Sequence, residues 1–395
     1  MRQAGAVRSD IGAGAAPVPE VVTFSLVAVE VPVMTTRGRL RLATRGSDLA
    51  LRQAATVRET LTDRRYEVEL REVETRGDRI TDELIHRLGR TGAFVRGLDE
   101  EVLAGDADAA VHSMKDMPTD FPPDLVVGGI PERASAADLL VTPDGASLSE
   151  LPSGAVVGTS SLRRKAQLLA ERPDLAVEPL RGNVDTRVEK LLAPGLQADH
   201  ERRLDAAEGD ESDDDAPEFD QSVEAWFDGL AEIERRALER EVDVEYEAIV
   251  LAEAGLRRSG LLHRIEYERL DPTTFVPSPG QGAIAITTRD DGDTADRIRE
   301  AVDHPRTRVE TTVERTILSE LGGGCIAPIG VYATLQGPYV HVTARVLSGD
   351  GDREVADKRD LPVDDHVAAA AAFADSLADR GADDLISEAR EVTEE

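Results

Sequence analysis

AVVGTSSLRRKAQLLAERPDLAVEPLRGNVDTRVEKLL, residues 155–192, decides the fold. It repeats one unit twice: a short apolar strand, a polar turn, then a helix. Ala155–Gly158 runs into TSSLRRKAQLLAERP, and Ala176–Leu180 runs into RGNVDTRVEKLL. Upstream, Leu40–Thr44 runs into RGSDLALRQAATVRETL, a third copy of the pattern. Alternating strand and helix predicts α/β layering with largely parallel sheets. Ser, Thr, Asn or Asp stands at each helix entry with arginine close by. Helix N-termini present unpaired N–H groups and partial positive charge, so arginine beside them makes an anion site.

Downstream the pattern continues and then changes. AIVLAEAGLRRSG (248–260) reads as a buried strand entering a helix. FVPSPGQGAIAI (275–286) is a Pro/Gly-rich turn entering another strand, suited to a crossover between domains. From about His304 the style shifts. TVERTILSELGG reads as a helix ending in glycine. In YVHVTARVL, Val340, Val342, Ala344 and Val346 alternate with polar residues as a half-buried strand does. A final alanine-rich helix is expected over 365–391. These features predict a separate α+β C-terminal domain.

The chain has 395 residues and carries 78 acids against 46 bases, a formal charge of −32. Lysine occurs only at Lys115, Lys165, Lys190 and Lys358, so arginine supplies nearly all the positive charge. An acidic, lysine-poor surface of this kind resembles that of halophilic proteins, where molar salt screens self-repulsion. It argues against nucleic acid or an anionic membrane as partner. Residues 199–247 hold 20 of the acids and only 5 bases, and read as an acidic surface insertion. Apolar spacing at Val223, Phe227, Leu230, Ile233 and Leu238 places one helix in it. The first 36 residues read as a disordered extension or an early start, with Met34 the expected true start; the short run VVTFSLVAV (21–29) makes a poor export signal. No run is long enough to span a membrane, so a soluble, cytoplasmic protein is expected.

Cys325, in LGGGCIAPIG (321–330), is the only cysteine. That excludes an intrachain disulfide and any multi-cysteine metal site, and no metal is expected. A lone thiol is ordinarily a small buried hydrophobe, but this one lies on a glycine-rich stretch.

Eight motifs run in order along the chain: ATRGSDLAL (43–51), VETRGD (73–78), AVHSMKDMP (110–118), VGTSSLRRKAQ (157–167), RGNVDTR (181–187), LAEAGLRR (251–258), PGQGAIAI (279–286) and GGGCIAPIG (322–330). Together they resemble the porphobilinogen deaminases, also called hydroxymethylbilane synthases. The resemblance implies a transferase of tetrapyrrole (haem, sirohaem, cobalamin) biosynthesis. It condenses four porphobilinogens with loss of ammonia and releases hydroxymethylbilane. It also implies a dipyrromethane cofactor joined to Cys325 by a thioether, a role that suits a thiolate nucleophile.

Carried over residue by residue, the resemblance makes Asp116 catalytic. Lys115, Ser161, Arg163, Arg164, Gly182 and Arg187 fall to the cofactor, and Arg45, Ser47, Arg181 and Arg258 to the substrate. Arginine's planar fork matches the acetate and propionate that each porphobilinogen brings. Arg90 joins the substrate set with its position shifted by one place, because RLGRTGAFVRGL (87–98) departs from the usual loop.

The implied fold is α/β with three domains: two lobes like those of periplasmic binding proteins, with mixed sheets, and a smaller α+β domain. Domain 1 is expected over 37–132 and 281–302, domain 2 over 133–280, and domain 3 over 303–395. A monomer is expected, with possible functional coupling to uroporphyrinogen III synthase. Two rival readings stand beside this one. A non-enzymatic two-lobed anion-binding protein would share the arginines but leave Cys325 and Asp116 unexplained. A thiol hydrolase would need a base near the thiol, and the nearest histidines in sequence are His304 and His341.

Overall fold

A computed structural model describes residues 36–74, 93–208, 219–322 and 327–394. The expected N-terminal extension, Arg90, the DESDDDAPE core of the acidic segment and Cys325 lie outside the described residues.

The chain opens with β1 (Gly38–Arg45), α1 (Asp48–Asp63) and β2 (Tyr66–Val73), followed by α2 (Ala93–Ala104) and β3 (Ala109–Ser113). β3 tightens at its end into a one-turn 3-10 helix, Met114–Asp116. β4 (Leu125–Gly129) and β5 (Asp138–Thr142) come next, then β6 (Val156–Gly158), α3 (Leu162–Glu171), β7 (Ala176–Glu178) and α4 (Val184–Glu208). Two short helices, α5 (Val223–Gly229) and α6 (Glu232–Leu238), lead to β8 (Ala248–Ala252), α7 (Glu253–Ser259) and β9 (Glu266–Arg269). The chain continues through β10 (Ile284–Arg289), α8 (Asp293–Val302) and α9 (Pro305–Glu320) into β11 (Ile329–Gln336), β12 (Tyr339–Leu347) and β13 (Glu354–Pro362). It closes with α10 (His366–Ala378) and α11 (Ala382–Glu394).

Three sheets result. The first has the order β2-β1-β3-β10-β4, the second β7-β6-β8-β5-β9, and the third β11-β12-β13. In the first two, a parallel trio built from strand–helix units is extended by antiparallel strands. β10 runs against both β3 and β4, and β5 runs against β8 and β9. The sheets are therefore mixed, as the resemblance implies, and not largely parallel as the strand–helix pattern alone predicts. The added strands belong to the two crossings between sheets, and local periodicity does not encode their direction. β5 is buried at all five positions, as a strand with neighbours on both edges and both faces covered must be.

The third sheet is an antiparallel meander. The alternation read in β12 is real: Val340, Val342, Ala344 and Val346 turn into a core closed by Val313 and Ile317 of α9 and Phe373 and Leu377 of α10.

Two expected helices are each broken in two. Residues 221–241 form α5 and α6, separated at Leu230–Ala231 after Gly229. The terminal helix over 365–391 is α10 and α11, split at Gly381, whose φ of 95° only glycine adopts readily. Nor is the acidic segment wholly superficial. Ile233 and Ala237 of α6 are buried, and Ile233 packs with Val188, Leu191 and Leu256.

The chain passes between the first two sheets twice, at 130–137 and 270–283. Gly282 (φ 85°) lies so close to the first crossing that a Cβ there would stand 2.6 Å from the Ala134 carbonyl oxygen. Glu314 of α9 fastens both crossings to the third sheet. Its fully buried carboxylate takes a bidentate pair from Arg133 (2.8 and 3.0 Å) and the amides of Gly280 (2.7 Å) and Ala333 (2.9 Å). Burial pushes this carboxyl above the ordinary glutamate range, and the Arg133 guanidinium and the two amides oppose that shift.

Candidate functional site

The parallel strands of both sheets deliver the sequence-predicted residues at their C-terminal ends, where open α/β sheets bind ligands. Arg45 ends β1, and Lys115 and Asp116 follow β3. The register Leu42↔Ala109 puts both exits at one edge. In the second sheet Ser160 and Ser161 follow β6, Arg181 follows β7 and Arg258 follows β8. Helix α1 packs against α7, so the two edges face each other.

The turn that presents Asp116 is held from behind. The Met114 amide donates to Ala283 O at 3.1 Å, and a Cβ on Gly280 would lie 2.8 Å from Met114 Cγ. Arg315 of α9 donates to the carbonyls of Met114 and Met117, both at 3.3 Å, and to that of Pro118. With its carbonyls engaged the turn leaves Lys115 half-buried and Asp116 exposed.

The serines act as caps. Ser47 accepts from the Ala50 amide at the start of α1, and Ser161 from the Arg164 amide at the start of α3, each at 3.4 Å. Ser160 donates to Leu180 O at 2.7 Å, tying the two helix entries together. Gly182 adopts φ 116°, and a Cβ there would meet Thr186 Cγ2 at 2.5 Å. Its carbonyl accepts from Arg187 Nε at 2.8 Å, which aims that guanidinium back over the entry of α4.

Arg163 and Arg164 turn inward. Both are buried, and both reach Asp138, a residue that no sequence motif singles out. Arg163 Nη2 lies 2.7 Å from Asp138 Oδ2, and Arg164 Nη2 2.8 Å from Oδ1. Their remaining reach goes to the carbonyls of Val276 and Val250. Gln281, on the second crossing, adds a bond of 2.8 Å to Asp138 Oδ1. Burial alone would raise the Asp138 pKa, but the two guanidiniums overcome it and hold the carboxyl far below the usual aspartate range.

Charge gathers these residues into one group. Lys115 sits in the field of Asp116, Arg164, Asp138 and Arg187. Loss of solvent pushes its ammonium below the ordinary lysine value, and the two arginines push the same way. Arg187 is pushed down to about 10, first by burial and then by Arg164, with Asp116 opposing. Arg258 is also lowered by burial, and it donates to Gly282 O at 2.8 Å. The structure thus brings together Lys115, Asp116, Asp138, Arg164 and Arg187. Crowded cations with depressed pKa values suit an anionic ligand bearing several carboxylates. Among the described residues no group of three His, Cys, Asp or Glu could hold a metal ion, and no helix is long and apolar enough to cross a membrane.

Sequence reasoning missed Asp138, Gln281, Arg133, Glu314 and Arg315. They act through partners distant in sequence; Gln281 lies inside the PGQGAIAI motif, and the others carry no local signal for their partners.

Comparison with known proteins gives two family matches. "Porphobilinogen deaminase, dipyromethane cofactor binding domain" matches residues 40–199 and 230–297, and "Porphobilinogen deaminase, C-terminal domain" matches 309–379. The first match skips 200–229, which lies inside the expected acidic insertion 199–247. A probable porphobilinogen deaminase of Halobacterium salinarum is 52% identical over 389 residues, covering 89% of this chain and 98% of the relative. Another, from Methanococcoides burtonii, is 38% identical, covering 88% and 96%. Similar solved structures include the methionine-binding protein MetQ (TM-score 0.32, 14% identity, covering 67% of this chain and 89% of that one). A periplasmic substrate-binding protein of an ABC transporter from Coxiella burnetii gives TM-score 0.33 at 12% identity, covering 68% and 94%.

Proposed function

The chain belongs to the porphobilinogen deaminase family, and on that premise we propose how its residues divide the work. The carrying observation is the convergence of Lys115, Arg164 and Arg187 around Asp116 at the facing strand edges. This donor set fits a dipyrromethane and its substrate, because each pyrrole unit brings two carboxylates. The dipyrromethane, joined to Cys325 as a thioether, supplies the end onto which porphobilinogen units are added.

Asp116 is the catalytic carboxylate. Loss of ammonia from porphobilinogen leaves a positively charged azafulvenium. An exposed carboxylate on a fixed turn accepts the pyrrole N–H bonds and stabilises that charge as it develops. In its protonated form the same group gives a proton to the leaving amine, and the carboxylate left behind later receives the proton shed after the carbon–carbon bond forms. Lys115 and Arg187 hold carboxylates beside it. Arg45, Ser47, Arg181 and Arg258, at neighbouring strand exits, bind those of the incoming substrate, and Arg90 joins them. Ser161 and Gly182 shape the two helix entries. Arg163 and Arg164 act toward the cofactor mainly through charge, since their forks lie on Asp138.

The reaction class is group transfer. The domains follow the three sheets, 37–132 with 281–302, 133–280, and 303–395, and the two crossings permit hinge motion. The protein works as a cytoplasmic monomer that hands an unstable product to a cyclase, the role of uroporphyrinogen III synthase.

Intact mass tests the reading. The protein expressed in high salt should be heavier than its sequence by two pyrrole units, and C325S should lose that mass together with activity. An active parent with the bare sequence mass would refute the attachment.

A further inference from the structure

The helix that carries Arg187 contains its own weak point. α4 runs from Val184 to Glu208 straight through Pro194, followed by Gly195. Proline has no amide hydrogen, so the carbonyl of Lys190 loses its helical donor, and the ring crowds that carbonyl. Glycine next to it adds backbone freedom. An interior Pro-Gly pair ordinarily ends or kinks a helix, yet here the helix continues. The first half holds Arg187, whose guanidinium stands near Asp116 and Arg164. Slack at Pro194 would let that half rock.

Residues from α6 onward bridge the break. Glu189, before Pro194, is fully buried, and its carboxylate faces two arginines from the far side of the segment. Arg236 Nη2 lies 2.8 Å from Oε1, and Arg240 Nε 2.7 Å from Oε2, with a second contact from Arg240 Nη2. Gln197, beyond Pro194, donates its amide to the carbonyls of Leu238 (3.1 Å) and Arg240 (2.7 Å). One stretch, 236–240, therefore grips α4 on both sides of the proline. Ile233 packs with Val188 and Leu191 beside the Glu189 grip.

We propose that α6 and the residues to Arg240 splint α4 across Pro194, which makes Glu189 a positioning residue for Arg187. The inference rests on the reading of Arg187 as a carboxylate ligand. It gives the acidic segment a task in the reaction: it joins the two halves of a broken helix, one of which points a guanidinium at the catalytic aspartate. A buried carboxylate that only balanced two arginines would affect stability and leave the proline irrelevant.

The test uses full-length protein in high salt. Glu189→Gln should make amides 184–193 exchange at least about fivefold faster. It should raise KM for porphobilinogen by about fivefold and leave kcat within about twofold. Adding Pro194→Ala, which restores the missing bond, should return both exchange and KM toward the parent. Unchanged exchange in Glu189→Gln, or faster exchange that Pro194→Ala does not reverse, overturns the splint. Arg187→Lys, measured in parallel, should raise KM. If it does not, the carboxylate role of Arg187 fails and the positioning role with it, while the exchange data still decide the splint. Should Glu189→Gln not accumulate folded, Arg240→Lys is measured in its place, and the same outcomes support or overturn the splint.

Discussion

Asp116 faces Arg187 and Asp138 meets Arg163 and Arg164, and the fold treats the two carboxylates in opposite ways. Asp138 is fully buried and meets two guanidiniums and a glutamine amide at 2.7–2.8 Å. Asp116 is exposed on a turn whose backbone is fixed from behind by Arg315. The first carboxylate has its acceptor sites taken. The second keeps them for whatever enters between the sheet edges. A buried ion cluster contributes fixed geometry at the cost of desolvation, whereas an exposed carboxylate near depressed cations contributes chemistry.

The contrast can be broken from either side. Asp116→Asn should lower turnover by about 10²- to 10⁴-fold while leaving the unfolding midpoint unchanged. Equal loss of stability would mean the two aspartates share one role. Asp138→Asn should do the reverse, destabilising the protein by about 3–5 kcal/mol in denaturant unfolding because two buried guanidiniums lose their counter-charge. The Asp138 carboxyl is held below its unfolded value, so its contribution is complete above the ordinary aspartate range and is lost as pH falls through the lowered value.

Gly182→Ala is a smaller probe. The residue sits at φ 116° with Thr186 at 2.5 Å from an added Cβ, so a cost of about 1–3 kcal/mol is expected, together with a raised KM. The smallest effect concerns pH. Burial lowers the Lys115 pKa, so its ammonium deprotonates at lower pH than a free lysine, and substrate affinity should weaken early on the alkaline side. Lys115→Arg should move that limb upward by about one pH unit or more. An alkaline limb that stays in place would assign it to another group.

Local signals carried much of this. The strand–turn–helix units at Leu40, Ala155 and Ala176 are written in apolar runs and polar caps, and they fold as read. The strand that delivers Lys115 and Asp116, Ala109–Ser113, is not among those units. What local signals cannot encode is partnership over distance. Asp138 meets Gln281 across 143 positions, and Arg133 meets Glu314 across 181. The antiparallel insertion of β10 between β3 and β4 depends on the chain returning after a whole second sheet. Breakers act in both directions here. Gly229 and Gly381 end helices inside runs read as continuous. Pro194 fails to end one because Val188, Leu191 and Ala193 are buried on the same helix and the Arg240 segment holds it.

The central claim is that Asp116, and not the buried Asp138, does the chemistry. The most direct test is the rate of ammonia release by Asp116→Asn in protein whose intact mass shows the dipyrromethane in place. The account predicts a fall of at least about a hundredfold with the fold intact. Release within about twofold of the parent rate would contradict it.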